Sequence, residues 1–283
     1  MLSQGRITEE WLCELLQDGG ARQLFIRKGA SAPLLGDEVR LSAAKRNRFA
    51  VYSDDFAGQD RQLFLAEMNR SKRYAENSRL LFFREAFGWI VNNIIVINPS
   101  IGMLNAAVYY DNGSLERVRR LIETFDTGVT DIKERLISLE EMNRLVSAEV
   151  VQTIFAHLKA QMQMSDLSTI QTTWRAEGGF FNICIRGNLE PEISTIVLRH
   201  TGSSFDFSFA DESDGTKRLF DLVDMLLKGR SDTVFVVDEL VRSLHPKLTK
   251  HFLRLFMRAH DGDRTQLVFT THEDAIMDQS LFS

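Results

Sequence analysis

An α/β fold organised around a parallel sheet is what this sequence predicts, and three observations carry the prediction. The run Thr233-Val234-Phe235-Val236-Val237 lacks alternation, as do strands buried on both faces of a parallel sheet, and it runs straight into Asp238 and Glu239. Helical spacing flanks it, with Leu219, Leu222, Val223 and Leu226 before and Leu248, Phe252, Leu255 and Phe256 after. A second apolar run, Gln266-Leu267-Val268-Phe269-Thr270, then completes a strand–helix–strand unit. Open α/β sheets take their ligands at the carboxyl ends of the strands, so two acids there face a crevice. Without further signals the same acids would suit a core strand ending in solvent.

Composition narrows the class. A chain of 283 residues with 44% hydrophobic content can bury one large core or two smaller ones. The net charge of −5 argues against a strongly basic nucleic-acid binder, although local patches remain open. Cys13 and Cys184 are too few for a disulfide framework or a zinc cluster. Met1–Gln17 is acidic and lacks an apolar targeting core, and no apolar run approaches bilayer length. The expectation is a cytoplasmic protein without membrane association.

Taken in order, the chain opens β-rich. Trp11–Leu16 and Gln23–Ile26 flank Asp18-Gly19-Gly20, a hairpin turn signal. From Lys45 to Arg79 two basic clusters occur, Lys45, Arg46 and Arg48, then Arg70, Lys72 and Arg73. They would suit phosphate contacts or a solvated helix face. Leu80 to Ile97 has helical spacing, ending at Asn98-Pro99. A second helix spans Leu115–Phe125 with Ser114 as N-cap, and a third spans Leu145–Met164 with Val146, Val150, Ile154 and Leu158 on one face. Met103–Met164 thus reads as largely helical, an insertion between β elements. Phe180–Ile185, Thr195–Leu198 and Phe205–Phe209 read as three strands, the last alternating strictly and so burying one face. Three segments follow from this: a β-rich lobe with the first helices over 1–102, a helical insertion over 103–166, and the acid-bearing sheet over 167–283.

Four short motifs share the last third in a telling order. Ser213-Asp214-Gly215-Thr216 opens a helix, Asp238-Glu239 ends the buried strand, Ser243-Leu244-His245-Pro246 follows, and Thr271-His272 ends the second strand. This order resembles the signature, Walker B, D-loop and switch histidine of ABC-class ATPases. Ser-Asp-Gly-Thr-Lys-Arg-Leu, Asp-Glu-Leu-x-Arg-Ser-Leu-His-Pro and Phe-Thr-Thr-His are most similar to bacterial AAA-type ATPases of the OLD-like, abortive-infection kind found in phage defence. Arg6-Ile7-Thr8-Glu9-Glu10-Trp11-Leu12 resembles the middle β-region of the same family. The resemblance implies a P-loop-NTPase-like sheet, ATP and Mg2+ as ligands, and a homodimer with composite ATP sites. It also implies a defence effector or nuclease as a further partner. By that resemblance Asp238 holds magnesium through water, Glu239 deprotonates the attacking water, and His272 bonds the γ-phosphate. Ser213, Asp214, Gly215 and Thr216 would grip the opposite subunit's nucleotide at a helix N-terminus. Ser243 and His245 would lie on the dimer-facing loop, although His245-Pro246 also suits a plain helix start.

One part of that pattern is missing. No Gly-x-x-x-x-Gly-Lys-Ser/Thr run occurs, and the nearest imitation, Ala210–Lys217, has alanine at the first glycine. The expectation is an ATPase completed by a P-loop from outside this chain, as in a fragment, a misassigned start or a split enzyme. Two other classes compete: a non-catalytic interaction module, and a DNA-engaging ATPase that rests on the basic clusters.

Overall fold

The computed structural model describes residues 2–3, 5–98, 109–110, 113–165, 167–176, 178–187, 189–227 and 232–276. The chain divides into two compact units, Met1–Asn93 and Ile94–Ser283. In the first, β1 (Leu2–Ser3) and β2 (Arg6–Ile7) pair, and β3 (Glu9–Leu15), β4 (Ala21–Lys28) and β5 (Leu34–Leu35) form an antiparallel sheet. The expected turn joins β3 to β4: Gly19 is left-handed at φ 84°, and the Gly20 N–H donates to Asp18 Oδ1. Helices α1 (Ala43–Phe56), α2 (Phe64–Asn69) and α3 (Leu81–Asn93) follow, over a core of Phe25, Phe49, Phe56, Phe64, Met68 and Phe83.

A buried ion pair fixes the hairpin to α2. The Arg27 guanidinium lies 3.3 Å from the Glu10 carboxylate, which accepts the N–H groups of Phe64 and Leu65 at the start of α2. Arg27 also donates to the carbonyls of Gln59 and Gln62, so the buried charges are hydrogen-bonded as well as paired. The basic clusters are split in their use. Lys72 lies over the Tyr52 ring and pairs with Glu67, so it belongs to the internal packing. Lys45, Arg46 and Arg48 stay exposed on α1.

The second unit starts with β6 (Ile94–Ile97), then α4 (Ser114–Glu123), β7 (Val129–Ile137), α5 (Leu139–Leu145) and α6 (Ala148–Ser165). After these come β8 (Thr169–Ala176), β9 (Gly179–Arg186), β10 (Glu192–His200) and β11 (Asp206–Ser208). Next come α7 (Asp214–Leu222), β12 (Val234–Val237), α8 (Pro246–Ala259) and β13 (Gln266–Phe269), and a 3-10 turn at Asp274–Ile276 closes the described course. Strands β11-β10-β9-β8, with β7 also paired to β10, make an antiparallel sheet, while β13-β12-β6 make a parallel one. One core, including Val118, Ile122, Ile196, Leu198, Phe220, Phe235, Val237 and Phe252, joins both sheets to α4, α7 and α8. Among the described residues no helix is long and apolar enough to cross a membrane.

Several expectations need correction. The helix expected over Leu80–Ile97 ends at Asn93, and Ile94–Ile97 is an edge strand of the parallel sheet. Four β-branched residues in succession favour that outcome. The boundary between compact units therefore falls at Asn93/Ile94 rather than 102/103. The segment 103–166 is not a helical insertion throughout, because β7 lies within it and pairs along β10. A bulge at Thr130, opposite Arg199/His200, puts Val129 and Ile132 three apart on the buried side and hides the period of two. In α6 the buried positions are Val151 and Leu158, and Val150 is exposed. Strand β8 adds to the three strands expected over Phe180–Phe209. Phe205 and Phe207 are exposed, and only Phe209 of the alternating run is buried. That strand is three residues long at a sheet edge, where one turn of 3-10 helix takes Phe209 into the core. Ser114 is the first residue of α4, after an N-cap at Gly113.

Candidate functional site

The parallel sheet brings the acids to one edge of the second unit. Val237 pairs with both Phe269 and Ile97, so the three strands end level. The Asp238 N–H donates to Ile97 O at 2.9 Å and the Thr270 N–H to Val237 O at 3.0 Å, which carries the register one residue further. Thr270 then fastens the strand ends together. Its hydroxyl donates to Asp238 Oδ1 at 2.6 Å and accepts the Glu239 N–H at 2.8 Å, while its carbonyl accepts the Leu240 N–H at 3.1 Å.

Glu239 leaves the strand in a left-handed conformation, φ 49°, unusual for a residue with a long side chain. Its carboxylate is 40% exposed, with Oε1 3.9 Å from His272 Nε2 and Oε2 3.9 Å from Arg242 Nη1. Those separations permit attraction but are too long for hydrogen bonds. Asp238 and Glu239 therefore occupy different surroundings, one tied to Thr270 and the other flanked by His272 and Arg242. His272, at 89% side-chain exposure, is open to a ligand.

The turn before α7 lies against the loop after β12. Ser213 is the N-cap of α7: its hydroxyl accepts the Thr216 N–H at 3.1 Å and contacts the Thr216 hydroxyl at 3.0 Å. Asp214, in the first turn, already sets a carboxylate against the positive end of the helix. At Gly215 a Cβ would come within 2.9 Å of the Ser243 carbonyl oxygen, so the backbone of that loop itself calls for glycine. Ser243 is itself left-handed at φ 62°. His245 caps α8, its Nδ1 accepting the Lys247 N–H at 3.2 Å with Pro246 at the first helical position. The plain helix start is thus realised at His245, which lies at the end of the same loop.

Sequence reasoning gave no role to two residues that bind this region together. Thr270 was visible inside Phe-Thr-Thr-His, but its bonds depend on strand register. Arg218, on α7, donates from Nη2 toward the carbonyls of Asp238 and Glu239 at 3.4 and 3.5 Å. It left no signal in the sequence, because among Asp214, Lys217 and Asp221 on the same helix an arginine reads as one more surface charge.

Among the described residues no group of three or more His, Cys, Asp or Glu could hold a metal alone. Magnesium does not require one, since it keeps several waters and uses one or two carboxylates with substrate phosphates. Asp238 fits that demand: an exposed carboxylate at a strand end, steadied by Thr270. A concavity of about 1030 Å³ is built from residues of the first unit, including Arg22, Arg79 and Glu85, and includes none of these residues. No curated protein sequence matches the chain. A family model described as "AAA domain, putative AbiEii toxin, Type IV TA system" matches residues 112–278, more than half of the chain.

Proposed function

The chain belongs to this family of AAA domains, described as putative AbiEii toxins of Type IV TA systems, and on that premise we propose that it binds and hydrolyses ATP in phage defence. The P-loop would come from outside these 283 residues, since the sequence holds no Gly-x-x-x-x-Gly-Lys-Ser/Thr run. In this reading the active form is an OLD-like homodimer with composite sites, acting with a defence effector or nuclease.

Each side chain has a task. Asp238 would hold Mg2+, with Thr270 fixing its direction. When bound, the ion would neutralise charge on the phosphate oxygens. Glu239 would take the proton of the attacking water, and His272, beside it, would donate to the γ-phosphate. Ser213, Gly215 and Thr216 would meet the nucleotide held by the opposite subunit. The observation that carries the reading is the Thr270 staple, which fixes two adjacent acids in different surroundings at the end of a parallel strand.

Calorimetry tests the proposal. A P-loop supplies charge-assisted hydrogen bonds worth about 1.5–3 kcal/mol each, so lacking three costs roughly 5–9 kcal/mol of binding. The 283-residue chain should therefore bind ATP too weakly for a micromolar signal, and a P-loop-bearing segment should restore both binding and turnover. Micromolar affinity of the chain alone would overturn the external P-loop.

A second reading, a non-catalytic interaction module, is favoured by how the signature turn is used. The Ser213 hydroxyl is engaged in a cap and Gly215 is pressed against Ser243. Binding without turnover in the completed protein would select it.

A further inference from the structure

We propose that Arg218 is a positioning residue: its buried guanidinium holds the left-handed turn that aims Glu239, and so couples α7 to the acid end of β12. This rests on the role of Glu239 proposed above.

Arg218 is 7% exposed, yet its hydrogen bonding is poor. Nη2 makes two long contacts, to the carbonyls of Asp238 and Glu239, and Nε is buried without a hydrogen-bond partner. Enclosing a guanidinium so weakly bonded is costly, and burial pushes its pKa down. Asp221 and Glu239 supply the opposing charge, and Arg242 works against it. Asp221 in turn accepts from Arg175 Nε of β8 at 3.1 Å, where Arg175 is stacked over Phe180 and Phe209. Charges therefore alternate along Arg175, Asp221, Arg218 and Glu239, from the antiparallel sheet through α7 to the candidate base.

What Arg218 faces explains where it sits. The carbonyls it approaches flank the Glu239 backbone, whose φ of 49° persists only with outside support. Thr270 bonds the Glu239 N–H from one strand, and Arg218 approaches the carbonyl side from α7. Gly215 touches the same loop at Ser243. Movement at the start of α7, where the opposite subunit's nucleotide is proposed to sit, would reach Glu239 through these two contacts.

The test uses Arg218→Gln and Arg218→Lys in the full chain, read by hydrogen exchange without nucleotide. Arg218→Gln should speed exchange over 238–243 by about tenfold or more while α8 and β10 keep their protection, and Arg218→Lys should restore part of it. In the chain joined to a P-loop segment, Arg218→Gln should slow single-turnover hydrolysis by ~10- to 100-fold at unchanged nucleotide affinity, the scale of a misplaced catalytic group. Wild-type exchange over 238–243 in Arg218→Gln would overturn the proposal. Equal loss of protection throughout the unit in both variants would do so too, by reducing Arg218 to core filling. If exchange responds as expected but the wild-type completed protein does not hydrolyse ATP, the positioning role stands and the ATPase reading fails.

Discussion

Thr270 decides more at the candidate site than its neighbours in the sequence imply. Its one hydroxyl bonds a carboxylate and an amide on the adjacent strand, so both acids inherit their placement from it. Thr270→Val keeps the shape and removes both bonds. A hydrogen bond to a charged group is worth about 1.5–3 kcal/mol, which is roughly 10- to 100-fold in an equilibrium. We expect magnesium-dependent nucleotide affinity in the completed protein to fall by that factor, with Thr270→Ser close to wild type. Equilibrium titration with and without Mg2+ reads it, and wild-type affinity in Thr270→Val would remove the staple from the account. The placement of Asp238, Glu239 and His272 beyond the strand ends was legible because each follows a continuous apolar run. Thr270 and Arg218 were not, because a register-dependent bond and a charge turned inward leave no spacing to read.

Among the elements, β12 and β13 were legible because continuous apolar runs between helical patterns have few other readings. Strand β6 was masked by α3, whose apolar spacing runs on into Ile94–Ile97 without a break. Strand β7 was masked by its bulge and by Lys133, Glu134 and Arg135, which all face solvent. The contact between α7 and the loop after β12 was not legible, because Gly215 was read only as one of four residues gripping nucleotide at a helix N-terminus. Gly215→Ala tests what the glycine does. A Cβ 2.9 Å from the Ser243 carbonyl must displace backbone, an overpacking cost of about 1–3 kcal/mol. Urea unfolding should show that loss in the chain without any nucleotide. Unchanged stability would mean that the loop yields easily and that room for a ligand is the stronger demand on the glycine.

Across the whole molecule, the division into two units places the acid-bearing sheet, α7 and the antiparallel sheet within residues 94–283, and the family match lies inside that span. The sequence placed the first boundary at 102, because assigning β6 to the second unit requires knowing its partner strand. Everything proposed about catalysis depends on two adjacent acids doing different work. Glu239→Gln keeps size and hydrogen-bonding reach but cannot accept a proton, and Asp238→Asn weakens the ion's ligand instead. The measurement is single-turnover hydrolysis paired with nucleotide affinity, on the chain completed by a P-loop segment. Glu239→Gln should lose about 100- to 10,000-fold in rate with affinity intact, while Asp238→Asn should lose magnesium-dependent affinity itself. Wild-type turnover in Glu239→Gln would contradict the account.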